Sequence, residues 1–223
     1  MKSNRIEFSE SKKIILQNIT KFGGQPNWIN EPQWPISKST GNPMRFICQI
    51  SLEQFNTESK MAYLFMTDEE ECVDGTWEPD GGENAIILQP SNEMPSPIKS
   101  LTNGPTLYKM VEKLLSKNLV PKDVEFNVIL SEEEEPDFID EDERKNWSDD
   151  KEESYSKNLD KNKINGTPLF LQSTEFPDSG KWNLLMQLDS TTLPFYINFG
   201  DSGVGYAFLS EDGNKAKFLW QCC

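Results

Sequence analysis

Residues 24–35, Gly-Gln-Pro-Asn-Trp-Ile-Asn-Glu-Pro-Gln-Trp-Pro, align without a gap on residues 166–177, Gly-Thr-Pro-Leu-Phe-Leu-Gln-Ser-Thr-Glu-Phe-Pro. The constant offset of 142 places Gly24 on Gly166, Pro26 on Pro168, Trp28 on Phe170, Ile29 on Leu171, Trp34 on Phe176 and Pro35 on Pro177. After a four-residue slip the match resumes, with Phe46-Ile47-Cys48-Gln49-Ile50-Ser51-Leu52 against Leu184-Leu185-Met186-Gln187-Leu188-Asp189-Ser190. It continues with Tyr63-Leu64-Phe65 against Tyr206-Ala207-Phe208, and more loosely with Ile86-Ile87-Leu88-Gln89 against Phe218-Leu219-Trp220-Gln221. Two copies of a unit predict one pseudo-symmetric domain rather than a solenoid, which stacks three or more.

Each copy runs from a Gly-x-Pro turn through an aromatic-Pro corner into short apolar runs bounded by Gly, Pro, Asn and Ser, the pattern of strands. The runs at 46–52 and 184–188 are almost continuously apolar, as in central strands buried on both faces. Gln49 and Gln187 interrupt them at matched positions, and the expectation is that each amide satisfies buried backbone groups across the pseudo-dyad. Two segments read as helices. Ser9 or Ser11 caps one in which Ile15, Ile19 and Phe22 share a face and Gly23 ends it. Thr106 caps the other, with Leu107, Met110, Val111, Leu114 and Leu115 as its apolar stripe.

The predicted architecture is therefore α+β, a mainly antiparallel β-sheet built from an internal duplication with a few helices. A single domain spans 1–223, with half-repeats about 22–90 and 164–223, a helical connection over 91–130 and an acidic insertion over 131–163. A chain of 223 residues is long enough to bury one sizeable core. No run reaches the ~20 apolar residues of a membrane helix, and Met1 to Phe8 lacks the apolar stretch of a secretory signal, so a cytoplasmic location is expected.

The formal net charge is −15. Residues 131–163 hold 14 acidic and 6 basic side chains, so they supply −8 of it. Such a chain repels nucleic acids and anionic membranes, whose affinity for proteins comes from Lys and Arg at phosphates. Basic proteins are its expected partners. The stretch from Ser131 to Tyr155 reads either as a solvated, partly disordered insertion or as a binding surface. In the second reading the carboxylates of Glu132, Glu133, Glu134, Glu135, Asp137, Asp140, Glu141 and Asp142 steer a partner that Phe138 and Trp147 anchor.

The chain contains no histidine, so Ser-His-Asp and Cys-His catalysis are excluded, and the four cysteines show no CxxC spacing for zinc. Neither a Gly-x-Gly-x-x-Gly fingerprint nor a P-loop is present. No catalytic residue, metal or cofactor is expected, and the chain does not read as an enzyme. Asp74-Gly75 and Asp80-Gly81-Gly82 lack the spaced oxygen ligands of a calcium loop. Asp201, within Phe199-Gly200-Asp201-Ser202-Gly203, is the carboxylate that a cleft between the halves would use, although a tight turn requires the same residues.

Gly23-Gly24-Gln25-Pro26, Trp34-Pro35, the run from Gly41 to Ile50, Tyr63-Leu64-Phe65, the run from Leu184 to Ser190, the run from Phe199 to Phe208 and the closing Trp220-Gln221-Cys222 resemble the YwqG-like bacterial proteins, the domain of unknown function 1963. The resemblance covers nearly the whole chain; residues 131–165 are the departure. It implies a mixed α and β fold with internal duplication. It also implies a function, because members occur as immunity proteins beside secreted polymorphic toxins in interbacterial competition, including type VI secretion. The expected function is then a cytoplasmic immunity protein that binds and blocks a basic toxin, nuclease-type in the first instance. The alternatives are an enzyme or small-molecule binder using the cleft between the halves, or a generic intracellular interaction module.

Overall fold

The structure is a computed structural model, and residues 1–67, 75–91, 97–113 and 118–223 are described. Its first half contains β1 (Lys2–Glu10), β2 (Lys21–Gly23), β3 (Trp34–Pro35), β4 (Arg45–Ser51), β5 (Met61–Met66) and β6 (Asn84–Gln89). Then come β7 (Ile98–Lys99), β8 (Tyr108–Glu112), β9 (Leu119–Asp123) and β10 (Glu125–Glu134), followed by helices α1 (Glu141–Arg144) and α2 (Asp149–Leu159). The last strands are β11 (Lys163–Ile164), β12 (Trp182–Asp189), β13 (Val204–Ser210) and β14 (Ala216–Gln221).

Ten of these strands form one sheet in the order β14-β13-β12-β11-β1-β10-β2-β4-β5-β6, each pairing antiparallel. The sheet curls until its two edges, β6 and β14, bring Cα atoms within 8 Å of each other, giving a nearly closed, barrel-like shape. The fold is thus mostly antiparallel β with few helices. The strands holding Gln49 and Gln187 lie in this one sheet. Their apolar neighbours, Cys48 and Ile50 on one side and Met186 and Leu188 on the other, join a single core enclosed by the curl.

Two smaller apolar layers sit on the opposite face. Trp28 and Trp34 pack on Tyr63 and Phe65 of β5. Phe170 and Phe176 pack on Tyr206 and Phe208 of β13. The aromatic-Pro corners thus close the outer face of each group of strands, which explains why β4 to β6 and β12 to β14 read as apolar runs without alternation.

Both expected helices are corrected. Residues 2–10 form β1, where Ile6 and Phe8 alternate with polar residues and face Leu130 and Val128 of β10. Residues 11–20 are irregular, with Ile15 buried while Ile14 and Leu16 remain 77% and 76% exposed. The 3–4 spacing of Ile15, Ile19 and Phe22 was fortuitous, since Phe22 belongs to β2. The expected stripe at 107–115 is a hairpin, in which β8 pairs with β9 and Met110 lies opposite Pro121. Of that stripe Leu107 is buried, Met110 is exposed, and Leu114 and Leu115 lie outside the described residues. The connection over 91–130 is consequently built of strands, not helix, where it is described.

The acidic segment 131–163 is also more integral than a solvated insertion. Ser131 to Glu134 complete β10, which runs beside all nine residues of β1 at the centre of the sheet. The segment then supplies both helices, α2 being docked through Tyr155 and Leu159, one turn apart.

Candidate functional site

Polar side chains hold the two Gly-x-Pro loops on the sheet with matching bonds. Gln49 Oε1 accepts from Asn27 N at 2.9 Å, and its Nε2 donates to the carbonyls of Ile19 and Gln17. Gln187 Oε1 accepts from Leu169 N at 2.9 Å, and its Nε2 donates to the carbonyls of Lys161 and Leu159. The amides satisfy buried backbone groups as expected, but each does so beside its own strand rather than across the sheet centre. Tyr63 Oη donates to Asn27 O and accepts from Ile29 N, while Tyr206 Oη donates to Leu169 O and accepts from Leu171 N. Gln89 and Gln221 accept from Asn30 N and Gln172 N.

Beneath each loop lies a buried lysine. Lys21 Nζ donates to Glu125 Oε1 at 2.6 Å and to Gln25 O at 2.8 Å. Lys163 Nζ donates to Glu135 at 3.0 and 3.1 Å and to Thr167 O at 2.6 Å. Neither Lys163 nor Glu135 exposes its side chain, and burial lowers the Lys163 ammonium to about 8 despite the opposing pull of Glu135. The matched glycines have a local cause: Gly24 and Gly166 adopt positive φ, and a Cβ on either would collide with the Glu125 or Glu135 carboxylate. These ion pairs escaped the sequence reading. The signal was present, because Lys21 and Lys163 stand at the same offset of 142 just ahead of the aligned stretch.

The proposed binding residues divide into four groups. Glu135 is enclosed with Lys163 and is unavailable to a partner. Glu132 bonds Lys2 of the neighbouring strand β1, Glu133 bonds Lys161 ahead of β11, and Phe138 is turned inward against Phe170 and Phe176. Glu134, Asp137 and Asp142 are exposed, while Asp140 caps α1 by accepting from Asp142 N. Glu141 and Trp147 come together in a groove of about 450 Å³ between the helices and residues 169–172. Asp149, Glu152 and Ser156 line it from α2, and partly exposed Leu171 faces them. Trp147 stands edge-on to Tyr155, with the Lys151 ammonium 3.6 Å from its ring centre. Arg144 bonds Glu152 and packs over Tyr155, so the groove is pre-shaped.

Asp201 lies on an exposed turn between Gly200 and Ser202, both at positive φ, and its carbonyl accepts from Cys223 N. It does not line the groove beside α2. Among the described residues no three His, Cys, Asp or Glu side chains converge as metal ligands. Asp74 and Cys72 lie outside the described residues. No helix of the described residues is long and apolar enough to cross a membrane.

The sheet, its aromatic caps and the groove beside α2 define a mostly antiparallel β-protein with few helices. The family model described as Domain of unknown function (DUF1963) matches residues 20–222, and the chain belongs to that family. The match begins one residue before the first buried lysine and so takes in both loop clamps. Comparison with curated proteins finds no match.

Proposed function

We propose that this protein is a cytoplasmic immunity protein that neutralises a basic, secreted antibacterial toxin by occluding its active surface. The observation that carries the reading is the groove, where Glu141, Asp149 and Glu152 outnumber Arg144 and Lys145 around an indole and an exposed leucine, on a chain of net charge −15. Carboxylates around an aromatic anchor suit a Lys- or Arg-rich surface, attracting it at long range and holding it by buried contact. The occurrence of family members beside polymorphic toxins supports the same reading. Exposed Glu134, Asp137 and Asp142 extend the acidic field around the groove.

The test is a search for a secreted-toxin gene beside this one, followed by protection of cells that produce its product. Trp147→Ala should abolish protection and raise the dissociation rate at least tenfold, the scale of a hot-spot loss of ~1.4 kcal/mol or more. Full protection by a Trp147→Ala, Leu171→Ala double variant would refute the assignment of the groove.

We further infer that the two halves are copies of one ancestral unit. Its support is the recurrence of the Gln, Tyr and Lys clamps at matched positions, with each lysine given a glutamate from an opposite end of the same strand, β10, or the residue after it.

A further inference from the structure

We propose that the loop between β1 and β2, with the adjoining face of the β8–β9 hairpin, docks on a membrane surface rich in anionic lipid. Ile14 and Leu16 of that loop are 77% and 76% exposed, the most exposed large apolar side chains among the described residues. Lys12 and Lys13 precede them, and the run from Ser11 to Thr20 holds no acidic residue.

The loop is held rather than slack. Asn27 Nδ2 donates to the carbonyls of Ile15 and Gln17 at 3.0 and 2.7 Å, Lys21 Nζ donates to Ile15 O at 3.0 Å, and Gln49 Nε2 ties Ile19 O. Ile15 N donates to Glu125 Oε2, and the Ile15 side chain is buried. With residue 15 anchored inward, its neighbours Ile14 and Leu16 are committed outward. Aliphatic side chains fixed in water gain free energy when an apolar phase covers them.

The charge left over beside them is of one sign. Lys12, Lys13 and Ile14 share a depression of about 260 Å³ with Lys122, which pairs across the hairpin with Lys109. Three carboxylates also line it, and each has a cation of its own. Glu10 bonds Lys109 at 2.5 Å, Glu125 bonds Lys21 at 2.6 Å, and Asp123 interacts with the Arg45 guanidinium. Lys12, Lys13 and Lys122 are exposed and stand in no ion pair among the described residues, so three ammonium groups remain for an anionic partner.

The net charge of −15 opposes an anionic surface as a whole, but the acidic segment leaves from the other end of the molecule's central strand. Glu134 and Glu125 are the two ends of β10, roughly 30 Å apart at about 3.4 Å per residue. Exposed charges are screened over about 8 Å at physiological ionic strength. Composition favours lipid over protein as the partner. Protein interfaces are depleted in lysine and anchored by aromatic residues and arginine, and residues 11–20 contain neither anchor. Aliphatic tips flanked by lysines suit the lipid boundary, where the ammonium groups reach headgroup phosphates while Ile14 and Leu16 enter the outer acyl layer.

Co-sedimentation of the full chain with vesicles tests the docking. Phosphatidylcholine vesicles containing one-third phosphatidylglycerol should bind the chain, and pure phosphatidylcholine vesicles should bind it about tenfold more weakly or worse. Ile14→Ser with Leu16→Ser, or Lys12→Ala with Lys13→Ala, should each weaken binding by about tenfold or more without lowering the melting temperature. Leu16→Trp should tighten binding several-fold, because an indole favours the interface, and a loss of folding cannot imitate that gain. Absence of binding by the parent chain, equal binding to neutral vesicles, binding retained by either paired variant, or no gain in Leu16→Trp would each overturn the proposal. So would self-association without lipid that the Ile14→Ser, Leu16→Ser variant abolishes, or tighter binding of a polyglutamate peptide than of the anionic vesicles, since the face would then be a protein interface.

Discussion

Cys48 Sγ lies 4.0 Å from Met186 Sδ in the enclosed core, so the residues preceding Gln49 and Gln187 touch across the interior of the sheet. Both side chains are fully buried, and burial pushes the Cys48 thiol far up from its ordinary value, leaving it an inert apolar group. Met186→Ala should destabilise the fold by roughly 2–5 kcal/mol, the range for truncating a buried Met. Urea denaturation followed by tryptophan fluorescence measures it. A smaller loss in Cys48→Ala, which removes only a sulfur, is expected in the same assay.

Glu135→Gln should be costly, about 3–5 kcal/mol, because Lys163, already lowered to about 8, must then either hold a buried charge without its counter-ion or give up its proton. Replacing both by apolar residues, Lys163→Met with Glu135→Leu, should recover much of that loss. A double-variant cycle measured by denaturation reads the coupling, and additive losses would show that the pair acts independently.

Glu83 supplies a pH dependence of definite sign. Burial acts to raise its carboxyl, but the hydroxyls of Ser37 and Thr67 and the Ser39 amide donate to it and hold it below its ordinary value of 4.5. A carboxyl lowered in the folded state contributes stability that is present above 4.5 and is lost as pH falls through the folded value. Stability should therefore decline below pH 4.5 more steeply in the parent than in Glu83→Gln. Parallel acid titrations of the two proteins, each monitored by near-ultraviolet circular dichroism, provide the check.

Charge reversal on the groove, Glu141→Lys with Asp149→Lys, should slow association with a basic toxin and flatten its salt dependence. Exposed charges act through a field screened over about 8 Å at physiological ionic strength. Stopped-flow association at several salt concentrations tests this, and an unchanged on-rate at low salt would place the acidic field elsewhere on the molecule.

The apolar runs at 46–52, 63–65, 184–188 and 206–208 were legible in the sequence because aromatic corners bury their outer faces and leave no polar alternation to obscure them, although β5 and β13 extend beyond them. β1 was not legible. Its two inward residues, Ile6 and Phe8, acquire meaning only from β10, more than a hundred residues further along. The hairpin β8–β9 was obscured because Leu107, Met110 and Val111 fit a helical stripe, whereas cross-strand pairing with Val120 and Pro121 decides the outcome. In the candidate groove Trp147 and Glu141 were found from the alternation of acids and aromatics. Leu171 was missed because its place opposite α2 depends on the loop clamps formed by Gln187 and Tyr206.

The placement of β10 beside both β1 and β2 also governs how the chain can fold during synthesis. Until residues 125–134 have left the ribosome, β1 has no central neighbour and β2 is open on one side. The hairpins β4–β5–β6 can form early from near neighbours, but they must wait with an unzipped flank while the second half is made. Pairings of such long sequence separation slow folding and prolong the exposure of strand edges. A nascent chain stalled near residue 110 should therefore depend on chaperones, and so should one stalled before β12–β14 emerge to complete the core, so translation speed over the second half becomes a determinant of yield.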